Sequence, residues 1–124
     1  MQIMQGLTAL MNTIPSLKDT FTVTSFYRPG AKTKQGNDSW HGKGLAIDIV
    51  PKDGDFAKLE RNIMQSPQVV QYLLSNGLGI LDEYSKNGYQ KQVGATGNNM
   101  HIGKDKLALA GLSKLMKQYG YEIT

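Results

Sequence analysis

The chain has no cysteine, which excludes disulfides, Cys-rich zinc sites and thiol nucleophiles while leaving the redox compartment open. Any metal must be held by histidine, carboxylate or water. Histidine is scarce as well: 124 residues include 2, His41 and His101. No apolar run approaches the length of a membrane span, so no membrane contact is expected. Met1-Gln2-Ile3-Met4-Gln5 lacks the basic region and apolar core of a signal peptide. Internal repeats, low-complexity tracts and linkers are absent, which leaves one domain, 1–124, long enough to bury a core unaided. The charge balance is only mildly basic, 14 Lys and Arg against 10 Asp and Glu, for a net +4. Such an excess suits an anionic wall polymer as well as nucleic acid. Lys32, Lys34, Lys43, Lys86 and Lys91 are scattered, with no recognition helix, aromatic RNA-binding motif or phosphate-cradling glycine loop beside them. Nucleic acid is therefore not expected as a partner.

Ile3, Met4, Leu7, Leu10, Met11 and Ile14 recur at helical spacing, predicting an opening helix stopped by Pro15. Phe21 to Tyr27 alternates and is rich in β-formers, predicting a strand that delivers Arg28 at its end. Pro29 to Asp38 reads as loop. Phe56, Leu59 and Ile63 share a helical face, and Ser66-Pro67 reads as the cap and first-turn proline of a short helix ended by Asn76-Gly77. Leu78 to Tyr84 and Asn99 to Gly103 read as strands, joined by a long loop from Ser85 to Gly97 that could wall a cleft or act as a lid. Asp105 is expected to cap a last helix carrying Leu107, Leu109, Leu112, Leu115 and Met116 and ended by Gly120. Gly111 within it predicts close packing against the sheet. The order gives an α+β domain, a small antiparallel sheet with helices packed on one side.

The segment from Ser39 to Val50 carries the chemistry. Leu45-Ala46-Ile47-Asp48-Ile49-Val50 reads as a buried strand closed by Pro51 and the turn residues Asp53-Gly54. Aspartate is disfavoured in strands, and a buried carboxylate is costly without a partner. Alternation puts Ala46, Asp48 and Val50 on one face and Leu45, Ile47 and Ile49 on the other. Small Ala46 leaves room beside the carboxylate for an ion, and Gly44 lets the chain bend so that His41 can fold back towards Asp48. His41, Asp48 and His101 then form a three-ligand set with one open position, as a catalytic zinc requires. The competing reading is a buried ion pair, with Arg28 as a candidate partner of Asp48, and His41 as an ordinary loop residue. Calcium fits poorly, because two histidines suit zinc better than an oxygen-seeking ion.

Ser39-x-His41-x-x-Gly44-x-Ala46-x-Asp48 resembles, position for position, the signature of the zinc D-Ala-D-Ala peptidase family, which shares its fold with the hedgehog signalling domain. Ser25-Phe26-Tyr27-Arg28-Pro29 is similar to the family's Ser-Gly-Tyr-Arg-Pro segment. Asp82-Glu83-Tyr84, Ala95-Thr96-Gly97 and Met100-His101-Ile102 resemble the downstream segment of phage-encoded members. The matches run in family order from about Thr24 to Gly103 and cover most of the chain.

The resemblance implies a hedgehog/DD-peptidase-like fold with Zn2+ on His41, Asp48 and His101. It makes Arg28 the cation that polarises the scissile carbonyl and stabilises the oxyanion. A surface or structural arginine is the alternative. Ser39 would help shape the substrate site, or equally stabilise a turn through its hydroxyl. Trp40 and Tyr27 would line a substrate groove, a position that plain packing also explains. Many members carry Glu or Asp three residues before the last ligand as general base. Here that residue is Asn98, which takes up no proton at neutral pH. Related enzymes ending in His-x-His use the first histidine near the reacting centre, where this chain has Asn99. Asp82 and Glu83 are the remaining carboxylates in the matched region, and Glu83, with its longer reach, is the candidate base. The implied activity is hydrolysis of a peptide bond in peptidoglycan stems or cross-bridges by a phage virion-associated or lytic enzyme. Its partners would be the peptidoglycan peptide and other virion proteins. The alternative is a virion module that keeps zinc for structure or recognition and has lost catalysis, since fold alone does not settle function.

Overall fold

The computed structural model describes residues 2–25, 46–82 and 99–121. Within them the chain runs α1 (Gln2–Met11), β1 (Phe21–Ser25), β2 (Ala46–Pro51), α2 (Phe56–Met64), α3 (Pro67–Ser75), β3 (Gly79–Asp82), β4 (Met100–Gly103) and α4 (Lys106–Gln118). The four strands form one sheet in the order β1-β2-β4-β3, and every neighbouring pair is antiparallel. The α+β class expected from the sequence is therefore the class observed. No described helix is long and apolar enough to cross a membrane.

One apolar core joins the helices to one face of the sheet. Met4, Leu7 and Met11 of α1 enter it with Leu59, Ile63 and Met64 of α2 and Val69, Val70 and Leu73 of α3. Ile47 and Ile49 of β2, Ile80 of β3, and Met100 and Ile102 of β4 meet them from the sheet. Each such aliphatic side chain contributes on the order of 2 kcal/mol by leaving water. On β2 the alternation falls as expected: Ile47 and Ile49 are fully buried in the core, while Asp48 and Val50 are partly exposed. The opposite face is therefore where the polar residues of the central strands gather.

Local chemistry explains most element ends. Asp55 caps α2 by accepting from the Lys58 amide at 3.0 Å. Ser66 occupies the N-cap of α3 with Pro67 behind it, but its hydroxyl donates to Asn62 O at 2.8 Å and makes no side-chain cap bond. Gly77 follows the C-cap Asn76 with φ of 65°, a left-handed conformation that only glycine adopts without strain. The first helix ends at Met11, before Pro15, because residues 12–20 form successive tight turns; Ile14 N donates to Met11 O at 3.2 Å. Pro51 lies within β2 opposite Phe21, where the sequence placed it just beyond the strand.

Helix α4 crosses edge strand β3 at very close range. A Cβ on Gly79 would overlap the Ala108 carbonyl, and one on Gly111 would overlap the Ile80 carbonyl. The expected role of Gly111 in close packing is thus observed, with Gly79 as its counterpart on the strand. Ala108, Leu112, Leu115 and Met116 turn into the core. Leu107 and Leu109 do not, at 45% and 41% exposed.

Candidate functional site

Asp48 of β2 and His101 of β4 are Cα partners across the sheet. Both project from the face away from the core, because their neighbours Ile47, Ile49, Met100 and Ile102 point into it. His101 Nδ1 lies 3.0 Å from Asp48 Oδ1. The side chains are mostly buried, 11% and 14% exposed for histidine and aspartate.

A second carboxylate completes the arrangement. His101 Nε2 lies 2.7 Å from Oδ1 of Asp105, four residues on and just before α4. Asp105 stands at the helix N-cap as expected; its side chain closes no full cap bond, the Ala108 amide influences it only slightly, and its close contact is with the imidazole. Gly103 makes this possible. A Cβ there would sit 2.8 Å from Asp105 Oδ1, 2.9 Å from Ala46 Cβ and 3.0 Å from His101 Nε2. A histidine followed at i+2 by glycine and at i+4 by aspartate, at a strand end, is the only sequence trace of this contact.

The electrostatics follow from the two carboxylates. Burial of the imidazole opposes its charge, but the hydrogen bonds to Asp105 and Asp48 outweigh that cost and the pKa is pushed up to about 10. Burial likewise raises the carboxyl of Asp105, and the hydrogen bond and charge of His101 overcome this to hold it below its ordinary value. A ring protonated in this way can donate from both nitrogens, to Asp48 and to Asp105.

On the other side of β2, the pairing with β1 shifts register between Val23 and Ser25, next to Asp48. Thr24 Oγ1 donates to Asp48 O at 3.4 Å across this irregularity. Two residues before His101, Asn99 Oδ1 is buried and has no hydrogen-bond partner among the described residues.

Asp48 and His101 are the expected site residues that the structure brings together. His41, Arg28, Ser39, Trp40, Tyr27, Glu83 and Asn98 lie outside the described residues, as does the 85–97 loop. Among the described residues no group of three His, Cys, Asp or Glu side chains could hold a metal ion; Asp48 and Asp105 approach opposite nitrogens of the same ring. Comparison with family models, with curated proteins and with solved structures gives no match.

Proposed function

We propose that the chain is a zinc peptidase of the D-Ala-D-Ala peptidase type with the hedgehog/DD-peptidase fold. In this reading it hydrolyses a peptide bond in peptidoglycan stems or cross-bridges, as a virion-associated or lytic enzyme acting at the host cell wall. The observation that carries the reading is the Asp48–His101 pair, two residues of the expected ligand set held 3.0 Å apart on the sheet face away from the core. Adjacent donors on a tetrahedral zinc are separated by roughly 3.3 Å, so only a small opening of this hydrogen-bonded pair would admit the ion. His101 also gives its second nitrogen to a carboxylate, as metal-bound histidines commonly do. His41 would supply the third ligand.

Zinc, when bound, supplies a Lewis acid that acidifies water and polarises a carbonyl. The chain's own residues divide the rest of the work. Asp48 and His101, fixed by the register of two paired strands, would hold the ion. Arg28 offers a permanent positive charge to the oxyanion that develops on the scissile carbonyl. Glu83 takes the proton of the attacking water and passes it to the leaving amine. Ser39, Trp40 and Tyr27 shape the groove that receives the peptide.

A second reading, a zinc-holding structural or recognition module of a virion, is favoured by Asn98 and Asn99, amides at the positions where related enzymes carry a base. Metal analysis paired with hydrolysis of purified peptidoglycan separates the two. The peptidase reading expects one zinc and turnover in the wild type, both lost in His41→Ala and Asp48→Ala. Zinc without turnover would establish the module instead. Wall hydrolysis that persists in either ligand variant would overturn the metal mechanism.

A further inference from the structure

Asp105 is absent from the ligand set and from the family pattern, yet its contact with His101, 2.7 Å to Nε2, is shorter than that of Asp48. Two features show that this contact is built into the fold. Asp105 stands at the N-cap of a thirteen-residue helix, where its carboxylate would ordinarily turn to a helix amide; no full cap bond forms, the Ala108 amide contributes only the smallest of the effects on its carboxyl, and its close contact is with the imidazole. Position 103 is glycine, and any Cβ there would lie 2.8 Å from the Asp105 carboxylate and 3.0 Å from Nε2, in the space the contact uses.

An imidazole that binds a metal through one nitrogen carries its proton on the other, and the group that accepts that proton fixes both tautomer and ring orientation. The strand register has already placed Nδ1 beside Asp48 Oδ1. We propose that Asp105 is a positioning residue for the metal centre: it accepts the Nε2–H of His101 and so directs the Nδ1 lone pair to the ion shared with Asp48. This rests on the zinc reading given above and adds a fourth residue to it, one that touches neither the ion nor the substrate. Gly103 belongs to the same device, as the gap through which the carboxylate reaches the ring.

The test is zinc affinity, measured by chelator competition on the full chain, for wild type, Asp105→Asn, Asp105→Ala and Gly103→Ala. Nitrogen-15 NMR of the His101 ring in the zinc-loaded protein accompanies it. Wild type is expected to bind one zinc, with Nδ1 metallated and Nε2 protonated. Asp105→Ala should bind about 10–100-fold more weakly, the usual range for losing such a partner. Asp105→Asn keeps an acceptor oxygen of the same shape and should recover part of that loss, which a purely structural role would not predict. It also keeps the result readable if the alanine variant folds poorly. Wild-type affinity in both Asp105 variants, or metallation at Nε2, would overturn the positioning role while leaving the zinc reading in place. A wild type that binds no zinc would remove both.

Discussion

Asp48 and His101 are 53 positions apart in sequence and directly opposite one another across β2 and β4, with Oδ1 and Nδ1 separated by 3.0 Å. Strand register, rather than a loop, sets this distance. A one-residue slip of either strand would send its polar side chain into the apolar core, so the pairing is strongly specified. Asp48→Asn should therefore leave the fold intact, since an amide of the same size remains opposite the ring. It should still lose the metal, because a neutral amide is a far weaker zinc ligand. Circular dichroism and metal content measured together check this; an Asp48→Asn protein with full zinc would count against Asp48 as a ligand.

The metal-free protein should show a pH dependence with a definite sign. The pKa of His101 is raised from 6.5 to about 10 in the folded state, so its stabilisation is complete below 6.5 and is lost as pH climbs towards 10. Asp105 is lowered from 3.8, so its stabilisation is complete above 3.8 and is lost as pH falls through the lower folded value. These two groups together favour a maximum between 3.8 and 6.5, with a decline on the alkaline side. Urea midpoints of chelator-treated protein, measured from below 3.8 up to about 10, test the claim. His101→Gln should flatten the alkaline decline; a decline of unchanged depth in that variant would place its origin elsewhere.

How much of this is legible in the sequence differs by element, for physical reasons. The core faces of α1 and α2 can be read because Leu7, Met11, Leu59 and Ile63 follow the helical period and nothing competes with it. Asp48 and His101 stand out because a polar residue in an apolar strand must find a partner. The insertion of β4 between β2 and β3 has no local signal, since strand order is decided by long-range pairing. Asp105 stands at the N-cap, as an aspartate before a helix suggests, but its contact with His101 has no sequence signal beyond the spacing around Gly103. In α4 the helical period groups Ala108, Leu112, Leu115 and Met116 on the buried face and leaves Leu107 and Leu109 outside it.

Helix α4 gives a direct contrast. Leu112 is 3% exposed and belongs to the core, whereas Leu107 is 45% exposed. Leu112→Ala should cost about 2–5 kcal/mol through lost burial and the cavity it leaves. Leu107→Ser should change stability by about 0.5 kcal/mol or less. Denaturant unfolding of the two variants measures both; a comparable loss at Leu107 would mean that this side of α4 is covered.

Gly79 and Gly111 bring β3 and α4 together backbone to backbone. At Gly79 an added Cβ meets the Ala108 carbonyl and the Leu109 amide, and at Gly111 it meets the Ile80 carbonyl. These obstacles are main chain, so no rotamer change can make room, and relief requires moving the helix off the strand. Alanine ordinarily stabilises a helix over glycine by about 1 kcal/mol, so propensity alone predicts a gain for Gly111→Ala. Overpacking against backbone acts in the opposite direction, at about 1–3 kcal/mol or more, and should prevail. Gly79→Ala has no helical gain to offset it and should be the more damaging. Displacing α4 would also shift Asp105 at its first turn, so both variants should weaken zinc binding without touching any ligand. Unfolding midpoints and chelator-competition affinities, taken on the same samples, give the decisive comparison. Stabilisation by Gly111→Ala would show that helix and strand are not in the close contact described.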